Sequence, residues 1–423
     1  GTKMVFVTDC IWRSPLGLKI NAQDTAGVTQ TEDWVKVRGD QLRPRDGVYN
    51  LSITAELQET HFFDKVALKA VDHPVGTEIF VDERFSPTEA PRLGVIGTKQ
   101  PRQFAAVLGN QGQDVSGVVD ARDGRYVDDF GRTRYQGIAG DHHIELVLPA
   151  NAPRGKVLYL IGSGWLHPTD TSVNVALSQD PSMPPPSGLV METRNQAGKW
   201  VPVRRGLGFP AGKLKTIVLR IDDVLPESGD RRIRLRTNLE IFWDQLRWAE
   251  AIPSDQLRIQ TMAPFGAELR FRGFSEIRAQ DASSPELPTS YERLAGGAPV
   301  WRDLEGFHTR FGNVKPLVGR VDDRYVIMNA GDEMALRFRQ LADPAAGLVR
   351  DFVFVGDGWE KDGNINTTFG KTVLPLPAHA VSDYKIPPST LENDPVFRRH
   401  RNDWEIYHTR YVTPRAFVGA LKP

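Results

Sequence analysis

The sequence predicts an all-β fold of two related antiparallel, jelly-roll-like β-sandwiches, followed by a short and partly helical C-terminal tail. Three observations lead to this prediction. Short β-rich runs recur along the 423 residues, 38 glycines and 30 prolines punctuate them, and several phrases occur twice in the same order. Short strands divided by turn residues are typical of sandwiches and barrels.

The strand prediction depends on two kinds of run. Residues 157–161 and 216–221 are mostly apolar, and both suit strands that are buried on both faces. Residues 34–38 and 232–236 alternate apolar side chains with Lys or Arg, so each would bury one face and expose the other. Helical periodicity is weak elsewhere and best in the stretch 404–408, which predicts the helix of the tail.

The repeated phrases predict an internal duplication. The matches pair residues 34–38 with 200–204, 62–66 with 242–246, 84–86 with 273–275, 123–127 with 322–326, and 162–165 with 356–359. Their order is kept while the spacing between partners changes in small steps, as duplication followed by loop insertions would leave. The alternative is that strand-turn-strand sequences resemble one another by chance.

The duplication sets the predicted domain boundaries. They are a lead-in from a preceding module at 1–17, a first sandwich at 18–179, a linker at 180–188, a second sandwich at 189–376, and a tail at 377–423. Prolines in the linker fix the backbone and exclude both a helix and a central strand. The tail is expected to pack on the second sandwich.

Charge and cysteine usage exclude several classes of function. The chain has 53 basic and 53 acidic residues, so nothing in its net charge favours a nucleic-acid partner. Cys10 is the single cysteine, which excludes an intrachain disulfide and a CxxC metal or redox motif. No run of eighteen apolar residues predicts a transmembrane helix, and the first residues do not resemble a signal peptide.

The two Gly-x-Gly-Trp phrases provide the candidate ligand site. Trp165 and Trp359 each follow an apolar strand and precede a polar loop, and an indole beside Asp and Asn side chains is a common way to hold a sugar ring. The candidate sugar-binding residues are Trp165, Asp170, Asn174, Trp359, Asp362 and Asn364. The same oxygen-rich loop offers Asp357, Asp362, Asn364 and Asn366 as calcium ligands, although it lacks the EF-hand spacing. The competing interpretation, which we favour, is that each tryptophan plugs the core over a tight turn.

Other motifs do not indicate a particular binding or catalytic site. The glycine-rich stretch 206–213 lacks the glycine and the Ser or Thr of a phosphate-binding loop. His142 and His143 are adjacent, so on a strand they would point to opposite faces and would not share a metal ion. No Gly-x-Ser-x-Gly elbow is present. The basic and aromatic stretch 397–411 is diluted by acidic residues, which favours a packed terminal segment.

Several longer phrases carry a family resemblance. They lie at residues 12–21, 31–36, 71–74, 321–333 and 356–363. These phrases resemble the long C-terminal region of bacterial FG-GAP/VCBS-repeat proteins that carry an ASPIC/UnbV domain, as in the cartilage acidic protein family. The resemblance covers almost the whole chain and implies an exported protein, periplasmic, cell-surface or extracellular. It implies no catalytic residue, and the repeats and the ASPIC domain themselves are not found in these residues.

These observations favour a non-catalytic binding or assembly module of an exported multidomain protein. Its partner would be another protein or other domains of the same polypeptide, since sandwich edges can pair with partner chains. A carbohydrate-binding module that uses the Trp165 and Trp359 loops is the alternative, and a polysaccharide hydrolase is the third hypothesis. We expect no nucleic-acid partner, no transmembrane segment and no cofactor other than a calcium ion.

Overall fold

A computed structural model describes most of the chain. The described residues are 15–27, 31–57, 59–86, 93–210, 212–226, 231–296, 302–381, 384 and 387–414. Most of the predicted lead-in at 1–17 and the last residues of the tail, 415–423, therefore lie outside the described residues.

Antiparallel strands are the main regular structure of the described chain. The first nine are β1 (Glu32–Val37), β2 (Val48–Thr54), β3 (Glu59–Pro74), β4 (Thr77–Phe80), β5 (Arg84–Phe85), β6 (Ile96–Lys99), β7 (Ala106–Leu108), β8 (Ile138–Val147) and β9 (Leu158–Leu166). The next nine are β10 (Val190–Arg194), β11 (Trp200–Arg204), β12 (Phe209–Pro210), β13 (Lys215–Arg220), β14 (Arg232–Leu239), β15 (Ile241–Glu250), β16 (Arg258–Met262), β17 (Gly266–Phe271) and β18 (Phe274–Ser275). The remainder are β19 (Ile277–Arg278), β20 (Leu287–Pro288), β21 (Leu294–Ala295), β22 (Gly306–His308), β23 (Gly312–Asn313), β24 (Val326–Met328), β25 (Asp332–Arg339), β26 (Leu348–Asp362) and β27 (Arg410–Val412).

Helices are short in the described residues. The α-helices are α1 (Thr171–Ser178), α2 (Pro395–Arg399) and α3 (Arg401–Ile406), and 3₁₀ turns occupy Ser254–Gln256, Lys315–Leu317 and Leu391–Asn393. The predicted all-β class and the partly helical tail are confirmed.

One pair of sheets, which we call the outer sandwich, uses strands from both ends of the chain. One sheet has the order β1-β26-β3-β16, with β24 also paired to β3, and the other has the order β2-β25-β17-β23. The alternation of apolar residues along these strands turns one face of each sheet toward a shared core that includes Phe63, Leu68, Leu336 and Phe354. With β24 in the place of β16, this is the strand order of a jelly roll.

The second pair of sheets, the inserted sandwich, lies in the sequence between β3 and β16. Its sheets have the orders β11-β10-β14-β8-β7 and β13-β9-β15. They enclose a separate core that includes Leu146, Leu160, Leu235 and Trp248. The inserted sandwich therefore interrupts the outer one.

This arrangement corrects the predicted boundaries. Strand β3, in the predicted first sandwich, pairs with β26, in the predicted second, over its whole length from Glu59↔Asp362 to Pro74↔Leu348. Strand β9 likewise pairs with β13 and β15 across the predicted linker. The ranges 18–179 and 189–376 do not enclose one core each.

Three of the five repeated phrases nevertheless occupy equivalent positions. Phe62 on β3 is paired with Trp359 on β26, and Phe242 on β15 is paired with Trp165 on β9. In both pairs the register shifts at the next aspartate of the Phe-containing strand, which forms a β-bulge. Gly358 and Gly164 have no side chain because a Cβ atom would lie 2.0 Å and 2.3 Å from the carbonyl oxygens of the facing strands.

The aspartates at the two bulges hold equivalent loops. Asp64 accepts hydrogen bonds from the backbone amides of residues 322–324 at 3.0–3.2 Å. Asp244 accepts hydrogen bonds from the amides of Asp123 and Gly124, both at 3.2 Å. Gly124 (φ +80°) and its counterpart Asp323 (φ +61°) both adopt the left-handed conformation. Each loop then continues into a bridge with the aromatic strand.

The repeats and the sandwiches are related by an exchange of strands. In the outer sandwich β1 and β3 flank β26, and in the inserted sandwich β13 and β15 flank β9 in the same way. The hairpin β25-β26 corresponds to β8-β9, and β2 corresponds to β14. The outer sandwich thus combines β1, β2 and β3 of the first repeat with β25 and β26 of the second. The inserted sandwich combines β13, β14 and β15 of the second repeat with β8 and β9 of the first.

Two predicted matches have no structural counterpart. Trp34 lies on β1, which pairs with β26. Trp200 lies on β11, the edge strand of the sheet β11-β10-β14-β8-β7, and this sheet does not contain β9, the counterpart of β26. Residues 84–85 pair with β12, whereas 274–275 pair with β21. These two similarities are coincidental.

The linker and the tail pack against the sandwiches. The linker residue Ser187 donates its amide to Asn238 Oδ1 at 2.6 Å, so 180–188 lies along the inserted sandwich. In the tail, Trp404 on α3 is buried in a cluster with Phe62, Trp359 and Val373. The tail therefore packs on the outer sandwich.

Candidate functional site

A cleft lies between the two sandwiches. It has a volume of about 1010 Å³. One wall comes from β1 of the outer sandwich, and the facing wall comes from β9, β13 and β15 of the inserted sandwich. The segment from Arg278 at the end of β19 to Thr289 contributes the rim. We call this cavity the inter-sandwich cleft.

Polar residues outnumber apolar ones in the lining of the cleft. Four glutamines (Gln41, Gln100, Gln245 and Gln280), five basic residues (Lys36, Arg38, Arg122, Arg247 and Arg278) and three carboxylic acids (Glu78, Glu83 and Asp244) face it. Apolar surface is interspersed, with Phe80, Tyr126, Pro285 and Leu287 among the lining residues. Such a lining offers fixed donors and acceptors together with flat apolar contacts.

Glu83 is the most deeply buried carboxyl group of the cleft. It lies on the strap that joins β4 to β5, and its backbone amide donates to Thr216 O at 2.8 Å. Its Oε2 accepts the Thr216 amide at 2.8 Å, and Oε1 lies 3.7 Å from Lys215 Nζ. Burial raises the pKa of Glu83 to about 7, and the nearby charge of Asp33 acts in the same direction, while Lys215 opposes it.

A pH-dependent stability follows from Glu83. Because its pKa is raised in the folded state, its favourable contribution is complete below about 4.5 and is lost as the pH rises through about 7. We expect Glu83→Gln to gain up to about 3 kcal/mol of unfolding free energy relative to wild type between pH 4.5 and pH 8. Urea titrations of both proteins at the two pH values measure this difference, and parallel pH dependences would contradict it.

The cations of the cleft differ in how well they are neutralised. Lys36 forms ion pairs with Glu78 and Asp351, and its ammonium lies 5.0 Å from the centre of the Phe80 ring. Arg38 pairs with its neighbour Asp40, and Arg247 with Asp120. The paired cations shape the wall of the cleft without adding much net charge to it.

Arg122 and Arg278 are different. Among the residues that the structure describes, neither has a carboxylate oxygen within 4.0 Å. Arg122 donates one hydrogen bond, from Nη2 to Thr216 Oγ1 at 3.1 Å. Both side chains face the cleft and are accessible from it.

A second candidate site surrounds His379 on the outer sandwich. Its Nδ1 lies 2.7 Å from Asp323 Oδ1 and its Nε2 lies 2.8 Å from Asp357 Oδ1, while Asp64 Oδ2 is 3.5 Å away. Burial disfavours the protonated ring, but the hydrogen bonds with Asp323 and Asp357 outweigh it and raise the pKa of His379 to about 10. Burial also raises the pKa of Asp64 to about 7.

The His379 cluster has the residue types of a metal site, with Asp64, Asp357 and His379 offering ligand atoms within 4.8 Å of one another. In the described geometry the imidazolium itself bridges the carboxylates, so a metal ion would have to displace its protons. Glu59, His61 and Glu360 form a second group of this kind. There, burial lowers the pKa of His61 to about 4, so the ring is neutral at physiological pH.

The structure places the predicted tryptophans in the core. Trp165 is 5% exposed and stacks on Phe242 with ring centres 4.5 Å apart. Trp359 is 3% exposed and packs edge-on against Tyr325 and His379. The predicted sugar platform is therefore wrong, and the predicted role as core plugs fits both positions.

The polar loops after the two tryptophans contact each other. Asp170 caps α1 by accepting the Val173 amide, and Asn174 donates to Lys19 O at 2.9 Å. Ser172 donates to Asn364 Oδ1 at 3.1 Å and accepts a hydrogen bond from Asn366 at 2.8 Å, and Thr171 lies 2.8 Å from Thr367. These contacts join the two sandwiches and engage the polar groups of both loops with each other.

The predicted calcium ligands do not form one cluster, because Asp357 is separated from the other three. Asp362 Oδ1 accepts the Asn364 amide at 3.1 Å, and Asn364 Oδ1 accepts the Asn366 amide at 3.0 Å. Asp357 and Asp362 lie five positions apart on β26, about 17 Å along the strand and on opposite faces of the sheet. Asp362 is 1% exposed, and burial raises its pKa to about 6. Asp357 instead belongs to the His379 cluster.

Sequence reasoning missed the residues of the cleft. Glu83 follows an apolar run and resembles any acidic residue at a strand end. Arg122 precedes the repeated phrase at 123–127, and this proximity to a repeated loop was the only available signal. Arg278 lies in a segment without any recognisable pattern.

No protein-family model matches the chain, and no curated protein matches it either. The resemblance to FG-GAP/VCBS-repeat proteins therefore stays a prediction. Among the described residues, no helix combines the length and the apolar character needed to cross a membrane.

Proposed function

We propose that the chain is a non-catalytic binding module that receives a polyhydroxylated ligand, a glycan, in the inter-sandwich cleft. The observation that carries this proposal is the lining of the cleft. Glutamine amides and arginine guanidiniums can each form paired hydrogen bonds with neighbouring hydroxyl groups. Tyr126, Phe80 and the prolines of the rim offer flat apolar surfaces for the faces of sugar rings.

The shape of the cleft also supports a glycan. Its volume of about 1010 Å³ exceeds that of most small-molecule pockets, and it is open to solvent along the gap between two rigid sandwiches. An extended chain of several sugar units would fit such a cavity without a large conformational change.

The repeat supports a structural role for one cleft carboxylate. Asp244 has a pKa raised by burial, as a catalytic acid can have. Its counterpart Asp64, however, forms the same bulge and holds the same loop in the outer sandwich. Holding this loop is thus sufficient to explain Asp244.

A polysaccharide hydrolase is the second candidate, because Glu83 combines a pKa of about 7 with a position in the cleft, as a general acid requires. Hydrolysis uses a second carboxyl group on the other side of the glycosidic bond. Release of reducing ends from a bound polysaccharide, lost in Glu83→Gln, would establish this activity and overturn the non-catalytic assignment.

Blocking the cleft tests the proposal. The side-chain oxygen Oε1 of Gln280 lies 3.2 Å from the position that a Cβ atom on Gly124 would take. A larger side chain at position 280 would therefore fill the gap. We expect Gln280→Trp to weaken binding to a polysaccharide at least tenfold in isothermal titration calorimetry, without a change in fold. The panel would contain neutral xylan and galactomannan, and anionic polygalacturonate and heparin.

The matched control is Gln260→Trp, which places the same side chain on the exposed strand β16 outside the cleft. This variant should bind like the wild type. Equal losses in both variants, or no binding of any polysaccharide by the wild type, would contradict a glycan site in the cleft.

A further inference from the structure

The two unpaired arginines of the cleft point to the charge of its ligand, an inference that rests on the proposed glycan-binding function. We propose that the inter-sandwich cleft selects anionic glycans and that Arg122 and Arg278 bind their carboxylate or sulfate groups.

Arg278 lies at the rim on a supported backbone. It is on β19, where it is paired in register with Leu287 of β20. Both Arg278 and Leu287 line the cleft. Among the described residues, no carboxylate oxygen lies within 4.0 Å of its guanidinium, so its planar fork of donors is available to an oxyanion.

Arg122 lies on the wall formed by the inserted sandwich, beside Thr216 on β13. Among the described residues it donates one side-chain hydrogen bond, from Nη2 to Thr216 Oγ1 on β13 at 3.1 Å. This bond orients the guanidinium and leaves most of its five N–H donors for a ligand. Thr216 also holds Glu83 through its backbone amide. Arg122 is therefore positioned by the same strand as the deepest carboxyl group of the cleft.

The charge balance favours an anionic ligand most strongly at mildly acidic pH. The groups that face Glu83 are Lys215 on β13, Asp33 on β1 and Arg122 from the inserted sandwich. Below about pH 7 Glu83 is protonated and adds no negative charge beside Arg122. Glu78 is neutralised by Lys36, and Asp244 is engaged by two backbone amides.

A glycan fits the cleft better than a nucleic acid. Among the described residues, two cations without an ion pair face the cavity, whereas nucleic-acid sites use many phosphate contacts. The four glutamines suit the dense hydroxyl groups of a sugar chain. Carboxylate and sulfate share the geometry that a guanidinium fork recognises, so uronic and sulfated glycans remain to be separated by experiment.

The experiment compares the full chain with Arg122→Gln and Arg278→Gln. Affinities are measured by isothermal titration calorimetry at pH 6 and 50 mM salt for sodium polygalacturonate, heparin, neutral xylan and a single-stranded oligodeoxynucleotide. Each substitution should weaken binding of the anionic glycan about tenfold or more. The affinity should also fall when the salt is raised and when the pH is raised from 6 to 8.

The control is Arg258→Gln, because Arg258 is also exposed and without an ion pair among the described residues but lies on β16 outside the cleft. It should leave affinity unchanged. Binding of polygalacturonate but not heparin would identify carboxylate as the glycan group that the arginines recognise. Binding of heparin but not polygalacturonate would identify sulfate.

Other outcomes separate this inference from the proposed function. Equal binding of xylan, unaffected by the arginine variants but lost in Gln280→Trp, would overturn the anionic selection and keep a glycan site in the cleft. Tighter binding of the oligodeoxynucleotide would overturn the assignment of the ligand as a glycan. No binding of any glycan would overturn both.

Discussion

Residues 18–179, expressed alone, are expected not to fold. This segment contains β3 but lacks β26, which covers β3 along its whole length. Without β26, Phe63 and Leu68 lose the facing half of their core, since Leu336 and Phe354 lie beyond residue 179. Near-UV circular dichroism and two-dimensional amide NMR spectra should show an unfolded chain for 18–179.

Strand lengths explain why the segment should not fold in another way. If the strands paired within one repeat, β3 would have to pair with β9. Strand β3 has 16 residues and β26 has 15, whereas β9 has 9 and its partner β15 has 10. Pairing β3 with β9 would leave several apolar residues of β3 uncovered, which should cost more than a marginally stable domain can lose.

Two controls make this prediction specific. Residues 76–257 contain the whole core of the inserted sandwich and should fold by themselves. Coexpression of 18–179 with 189–414 should restore a folded complex, because together they supply both sandwiches. A folded, monomeric 18–179 would mean that the strands can pair within one repeat, contrary to the exchange described above.

The exchange of strands also shows how much of the fold could be predicted from the sequence. The phrases at 62–66, 123–127 and 162–165 have counterparts because a bulge, a held loop and a glycine facing a carbonyl each require particular residues. Such local requirements can be recognised in a sequence. Whether a strand pairs with β26 or with its counterpart β9 depends on strand length and long-range packing. The repeated sequence phrases are compatible with either pairing.

The same distinction applies to the candidate site. The match between Trp34 and Trp200 was misleading because alternating Val and Arg residues suit many strands. Arg278 could not be predicted as a site residue, because its proposed role depends on its position at the cleft and on having no ion-pair partner among the described residues. The pKa of Glu83 is raised by its burial, and the residues around it, such as Asp33 and Lys215, are far from it in the sequence.

Alanine substitution of the core tryptophans is expected to have the largest effect of any single change. Trp165 stacks on Phe242 and donates from Nε1 to Ser283 O at 3.0 Å, so Trp165→Ala removes both packing and a hydrogen bond. Trp359→Ala would open a cavity beside Tyr325 in the outer sandwich. Each change should lower the free energy of unfolding by about 3–5 kcal/mol, as measured by urea titration.

Trp200→Ala is the matched control, because this indole is only partly buried, on the edge strand β11. Arg194 and Arg234 lie over its ring at 4.9 Å and 4.1 Å, contacts that contribute about 1 kcal/mol in total. A loss of this smaller size in Trp200→Ala, beside large losses in the two repeat tryptophans, would show that the repeated phrase serves the fold. Unchanged urea midpoints in Trp165→Ala and Trp359→Ala would instead mean that the indoles are not held as the structure describes, and would return them to consideration as a ligand surface.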